Sequence, residues 1–269
     1  MTGLVVGYLL TKALLLPVIN IFKQKGWQRK NYCGKNVPIG VGLYLAIIIA
    51  ISSYLYYFSL GEPSVVFVYM TSIIAMGLIG FYDDLKGERK IKGLKGHFNE
   101  LIKGKVTSGI LKATTGLFIG TVVALIFADS FVDAVISMGV IVLFTNAFNL
   151  FDLRPGRCFK FFVFISFFLL VLSLISGNFH VALLYPITGA LLAYAPYDLK
   201  EKVMLGDAGS NSMGIAIGII CVITLPTAIN FVLVIVLALL HWYTEKNSLN
   251  SVIENNFFLN VIDLWGRAK

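Results

Sequence analysis

Long apolar runs separated by short polar breaks dominate the chain, and nine of the runs are candidates for helices through a bilayer. A helix rises 1.5 Å per residue, so crossing about 30 Å of hydrocarbon takes roughly 20 mostly apolar residues. The runs predict spans over about residues 3–22, 37–60, 64–82, 109–128, 131–149, 159–176, 180–196, 211–227 and 228–243, the last two short for a full crossing. Gly, Pro, Asn or charge marks each break. The predicted fold class is therefore all-α: a polytopic membrane protein of about nine transmembrane helices. Residues 1–243 form the transmembrane domain and 244–269 a tail. In that tail Val252, Ile253, Phe257, Val261, Ile262 and Trp265 predict a C-terminal amphipathic helix lying at the membrane interface.

Composition agrees with the pattern: 58% of the 269 residues are hydrophobic and 13% charged, with a mean hydropathy of +0.84. Charge adds an orientation. Segments 23–36, 83–106, 150–160, 197–210 and 244–269 hold 20 of the 22 Lys and Arg, whereas 61–63, 129–130, 177–179 and 225–228 hold none. Because basic loops are retained in the cytoplasm, the N-terminus is expected outside and the C-terminus inside. The net charge of +8 is then explained by basic loops facing anionic lipid, which makes membrane lipid the expected partner and not nucleic acid. The first run reads as a retained helix instead of a signal peptide, since its basic residues follow the apolar stretch. Cys33, Cys158 and Cys221, like His97, His180 and His241, are too dispersed for a disulfide framework or a zinc site.

Polar groups near lipid are costly, and the unusual ones gather at the cytoplasmic ends. The third span ends in GFYDDLKGERK, where the adjacent acids Asp83 and Asp84 would repel unless a cation is shared between them. A magnesium ion, which is commonly held by one or two carboxylates plus substrate phosphates, would serve. So would an interfacial acid pair answering Lys86, Arg89 and Lys90. The fifth span ends in TNAFNLFDLRPGRCFK. There Asn146, Asn149 and Asp152, at i, i+3 and i+6, share one helix face, Pro155 and Gly156 break the helix, and Arg154, Arg157 and Lys160 surround it with positive charge. A third stretch, VMLGDAGSNSMG, flanks Asp207 with Gly206 and Gly209. Ser210 and Asn211 are expected to cap the eighth span, and the loop suits either an anion site or an ordinary capped turn. Lys112, near the start of the fourth span, can reach phosphate or snorkel to the interface. Lys12 falls near mid-bilayer and has no evident partner. Together these groups describe a site for a magnesium-bound diphosphate, with the carboxylates of Asp83, Asp152 and Asp207 expected around one shared divalent cation.

GFYDDLKG, NAFNLFD and LGDAGS, in that order and on that topology, resemble the polyprenyl-phosphate N-acetylhexosamine-1-phosphate transferases, the family that includes the phospho-MurNAc-pentapeptide translocases. The likeness runs from about residue 23 to about 214, with LLAYAPYDLKEKVMLGDAGS and, more loosely, NVPIGVGL contributing. It implies Mg²⁺-dependent transfer of a sugar-1-phosphate from a UDP-sugar to undecaprenyl phosphate at the cytoplasmic face of a bacterial cell membrane, for cell-envelope polysaccharide or peptidoglycan synthesis. It further implies that Asp207, with Asp83, holds the metal. Asp83, Asp84, Asp152 and Lys112 would be catalytic. Asn146, Asn149, Gly206, Gly209 and Ser210 would bind substrate. The alternative is a non-catalytic lipid-phosphate-binding or scaffold homologue, and a homodimer is compatible with either. The chain departs from the family where Leu153 and Pro155 replace the glycine and second aspartate that usually follow the NxxNxxD motif. A histidine-rich cytoplasmic loop is also missing, leaving His241 alone as an expected helix-end cap.

Overall fold

The computed structural model describes residues 2–58, 63–87, 100 and 102–267. Arg89, Lys90, Lys92, Lys95, His97 and Lys269 lie outside the described residues. Nine helices among those described are long and apolar enough to cross a membrane. They are α1 (Thr2–Gln24), α2 (Val41–Phe58), α3 (Pro63–Lys86), α4 (Ser108–Phe127), α5 (Phe131–Phe151), α6 (Arg157–Ser176), α7 (Leu184–Leu199, entered through a 3-10 turn at Phe179–Leu183), α8 (Gly206–Thr224) and α9 (Thr227–Lys246). Two short helices follow, α10 (Leu249–Asn255) and α11 (Phe257–Leu264). A small antiparallel hairpin, β1 (Gln28–Lys30) with β2 (Asn36–Pro38), pairs Arg29 opposite Val37 between α1 and α2.

The bundle is organised around α8, which is buried along nearly its whole length and is flanked by α3, α5 and α2, while α1 packs along α7. With lipid tails as apolar as leucine, helices associate by close packing, and small residues allow it. A Cβ at Gly80 of α3 would overlap the Asp207–Ala208 backbone, and one at Gly214 of α8 would overlap Phe144 and Thr145 of α5. By contrast α6 and α9 turn Phe164, Phe167, Leu174, Val232, Val236 and Leu239 outward, as spans lined by hydrocarbon do. α9 is the least buried of the nine.

Alternating helix direction sorts the connections into two ends. At one end His180 faces Tyr57, Thr227 donates to Asp133, and Asn178 donates to the carbonyl of Ile223. The other end carries the hairpin, the tail and most of the polar contacts described below. Two expectations change here. α8 begins at Gly206, not near residue 211, so it is 19 residues long and about 28 Å by helical rise. His241 is not a cap: it lies inside α9, where its Nδ1 meets the Leu237 carbonyl at 2.6 Å.

Candidate active site

The site forms where α3 ends, α4 begins and α8 begins. The Lys112 ammonium lies between two carboxylates, 2.5 Å from Asp83 Oδ2 and in direct contact with Asp207 Oδ2. Their side chains are 13–26% exposed. Residues 83, 112 and 207 thus meet although they come from three helices. The two acids would repel one another, and the lysine between them, as the shared cation, offsets part of that charge.

Asp84 does something different. It is 7% exposed, and its two oxygens accept from the backbone N–H groups of Asp207 at 2.9 Å and Ala208 at 3.0 Å. The first N–H groups of a helix lack partners within it. A remote carboxylate therefore caps α8, and negative charge at that helix end is further favoured by the macrodipole. Gly206 makes the approach possible: its φ is +68°, and a Cβ there would collide with the Asp84 carboxylate. With the cap supplied from α3, Ser210 and Asn211 do not cap the helix as expected. They lie inside it and bond back one turn, Ser210 Oγ to the Gly206 carbonyl at 2.9 Å and Asn211 Nδ2 to the Asp207 carbonyl at 2.6 Å.

Ser210 Oγ also donates to Asn149 Oδ1 at 3.3 Å, joining α5 to this turn. Asn146, one turn further into the membrane on α5, is exposed. Gly209 packs against Leu205 and the backbone of Gly42. Asp152 ends α5 and is partly buried. Burial pushes its carboxyl well above the ordinary carboxylate range, the nearby charges of Asp198, Asp207 and Asp84 add to the rise, and the Gly206 N–H opposes it. Asp152 therefore stands near the other acids. Yet no three His, Cys, Asp or Glu side chains among the described residues gather closely enough to hold one ion. The expected three-carboxylate cage is replaced by a pair, Asp83 and Asp207.

That pair fits magnesium. Both donors are hard oxygens, and both already converge on one cationic atom, the lysine nitrogen. Mg²⁺ held by two carboxylates and completed by phosphate oxygens needs no third protein acid.

Behind Asp152 is a cavity of about 50 Å³ lined by Asn31, Tyr32, Arg154, Asp198, Glu201 and Asp152 itself. The Arg154 guanidinium lies 4.5 Å from the centre of the Tyr32 ring. Tyr32 donates to Glu201 at 2.5 Å, which lowers the Glu201 carboxyl and raises the phenol. Asp198 is buried and accepts from the Gly156 amide at 2.7 Å. Sequence reasoning passed over Asp198, although an acid inside the apolar stretch LLAYAPYDL was a usable signal. The three basic residues expected to make a positive field are otherwise engaged. Arg157 pairs with Asp263, Lys160 donates to the Asp263 carbonyl, and Arg154 pairs with Glu254. Lys12 is exposed on α1, with its ammonium 5.4 Å from the Tyr8 ring centre.

The model of glycosyl transferase family 4 matches residues 65–225, more than half of the chain and a segment that holds Asp83, Lys112, Asp152 and Asp207. Curated relatives include the phospho-N-acetylmuramoyl-pentapeptide-transferase of Clostridium botulinum (strain Alaska E43 / Type E3), 25% identical over 240 residues, 83% of this chain and 73% of that protein. The same-named protein of Caldicellulosiruptor bescii is 29% identical over 193 residues, 66% of this chain and 57% of its own. That of Clostridium botulinum (strain Eklund 17B / Type B) is 27% identical over 195 residues, with 69% and 59% covered. The matches thus span between 57% and 73% of these relatives' lengths.

Proposed function

The chain belongs to glycosyl transferase family 4 and is a multi-pass bacterial membrane transferase, and on that premise we propose that it moves a sugar-1-phosphate from a UDP-sugar to undecaprenyl phosphate at the cytoplasmic membrane face, with Mg²⁺. The observation that carries the proposal is the pairing of Asp83 and Asp207 about one cationic atom beside the N-terminus of α8. A site that already holds two carboxylates around a cation is built for the charge of a diphosphate and its metal.

In the reaction an oxygen of the lipid phosphate forms a bond to the β-phosphorus of the UDP-sugar. The bond from that phosphorus to the bridging oxygen breaks, and UMP leaves with the electron pair. Positioning and charge neutralisation supply most of the catalysis in such transfers. Mg²⁺, when bound, neutralises phosphate charge and aligns the attacking and leaving oxygens. Asp207 and Asp83 would hold it. Lys112 would then turn its ammonium from the carboxylates to phosphate oxygen. Asp84 keeps the first turn of α8 in place, so that Asp207 is presented at a fixed angle. Asn149, held by Ser210, and Asp152 line the adjoining wall, with Asn146 one turn deeper toward the lipid substrate. Gly206 and Gly209 let backbone approach closely. The basic loops on this face favour its cytoplasmic placement.

The test is to incubate purified protein with undecaprenyl phosphate, Mg²⁺ and a panel of UDP-sugars, measuring UMP and lipid-linked sugar. Turnover lost in Asp207→Asn supports the enzyme. The replacement of the usual glycine and second aspartate by Leu153 and Pro155 favours one other reading, a lipid-phosphate-binding homologue. Tight lipid-phosphate binding without UMP release from any UDP-sugar would establish that reading in place of the first.

A further inference from the structure

The tail carries a buried charge cluster that transfer of phosphate does not use. Asp263 of α11 is 4% exposed and Arg157, at the start of α6, is 3% exposed. They lie 106 residues apart along the chain and meet in two parallel hydrogen bonds, Nε to Oδ1 at 2.7 Å and Nη2 to Oδ2 at 2.9 Å. Arg267 also bonds Asp263 Oδ1, and its Nε donates to the carbonyl of Pro155 at 2.9 Å. Lys160 donates to the Asp263 carbonyl at 2.7 Å, Asn250 of α10 accepts from Arg157, and Glu254 pairs with Arg154 at 3.3 Å. These contacts fall on Arg154 and Pro155 of one short loop, residues 152–156, and on the first turn of α6 that follows it.

A surface ion pair fixes little, but a desolvated bidentate pair leaves a charge uncompensated whenever it opens. Burial alone would raise the Asp263 carboxyl, and the Arg157 hydrogen bonds overcome this and lower it. On the loop's inner side the Gly156 amide bonds Asp198, the Gly206 N–H bonds Asp152 and the Arg154 guanidinium lies over the Tyr32 ring. Its outer side is held by the tail. Asn247 and Ser248 alone separate α9 from α10, so the tail leaves the membrane close to the loop it grips.

We propose that residues 249–267 are a clasp that sets the position of the Asp152 loop, with Asp263 and Arg157 as positioning residues for the candidate active site. The proposal rests on the transferase reading for its kinetic consequence, but the clasp itself is a structural claim. Asp263 holds Arg157, Arg157 anchors the first turn of α6, and Arg267 holds Pro155 from the same tail. The place of Asp152 relative to Asp207 thereby depends on a segment beyond the nine spans.

The experiment compares the full chain with Asp263→Asn and Arg267→Met in lipid nanodiscs by hydrogen exchange of the peptide 152–158, beside UMP release and thermal unfolding. The Asn variant keeps the shape and removes the charge. Arg267→Met removes the hold on Pro155 while leaving the Arg157–Asp263 pair, and so remains readable should the first variant fail to fold. Exchange of the 152–157 amides is expected to rise by about tenfold or more in Asp263→Asn and by less in Arg267→Met, with kcat lowered about tenfold and the KM for undecaprenyl phosphate within about twofold of the parent. A purely structural role would lower the unfolding temperature without that split. Loop exchange within about twofold of the parent in both variants, with only 249–264 exchanging faster, would overturn the clasp. Absence of UMP release in the parent would sink the transferase reading and leave the exchange result to decide the clasp.

Discussion

Replacing Asp84 with Asn separates its role from that of its neighbour Asp83. Asp84 accepts two backbone N–H bonds at 2.9 and 3.0 Å in a site where it is 7% exposed. The amide side chain has one acceptor oxygen, so one helix N–H of α8 loses its partner and faces an NH₂ group instead. A hydrogen bond to a charged group contributes about 1.5–3 kcal/mol, and a buried amide left unpaired costs about 1–3 kcal/mol, so an overall loss of about 2–4 kcal/mol is expected. At about 2–4 °C per kcal/mol for a chain of this size class, the unfolding temperature should fall by roughly 5–15 °C. Asp83→Asn is the contrast. Lys112 keeps Asp207 as a partner when the Asp83 charge is removed, and the repulsion between the two acids goes with it, so that variant should unfold within about 1 kcal/mol of the parent while losing UMP release. Thermal unfolding of the purified variants in one detergent, followed by near-ultraviolet circular dichroism, makes the comparison. Unfolding of Asp84→Asn within about 2 °C of the parent, or an equal fall in Asp83→Asn, would show that Asp84 does not cap α8.

Other substitutions test neighbouring links. Lys112→Met leaves Asp83 and Asp207 facing each other without a cation, and should lower stability by about 2–4 kcal/mol in chelator, with most of it restored by millimolar Mg²⁺ in a thermal-shift titration. Gly206→Ala forces a Cβ onto a φ of +68° and against the Asp84 carboxylate; a loss of at least about 2 kcal/mol is expected, read by the same unfolding assay. Asp152 has a raised carboxyl in the folded chain, so the unfolded chain releases that proton first and stability declines as pH climbs from the unfolded value through the folded one. Asp152→Asn should therefore flatten the fall in unfolding temperature above about pH 4 while abolishing turnover, and an unchanged pH slope would refute the assignment.

The spans were legible because hydrocarbon imposes a length and forbids unpaired backbone, so the apolar runs carry the fold in their own pattern. α5 and α6 begin or end within about two residues of expectation. The start of α8 was not legible: Gly206, Asp207, Ser210 and Asn211 read as a polar loop, and the carboxylate that makes them helical sits 123 residues away at position 84. Asp83 and Asp84 looked equivalent in the sequence. Geometry gives one to the cation and the other to the helix end, a distinction adjacent residues on a helix acquire by pointing about 100° apart. The hairpin at 28–38 was missed because three-residue strands of mixed polarity carry no periodic signal. Arg154, Arg157 and Lys160 read as a field for phosphate, since nothing local reveals that Glu254 and Asp263 engage them from the tail. In α11 and at Trp265, which follows it, the apolar positions Phe257, Val261, Ile262 and Trp265 were visible and remain exposed, whereas the single acid among them, Asp263, carries the contact that fixes the segment.

Asp83 and Asp207 sharing one cation is the central structural requirement of the proposed site. Electron paramagnetic resonance of Mn²⁺, a paramagnetic substitute for Mg²⁺, titrated into the detergent-solubilised chain with UDP present tests this directly. One bound ion per chain is expected, with affinity falling at least about tenfold in both Asp83→Asn and Asp207→Asn and unchanged in Asp263→Asn. Undiminished Mn²⁺ binding in both aspartate variants would contradict it.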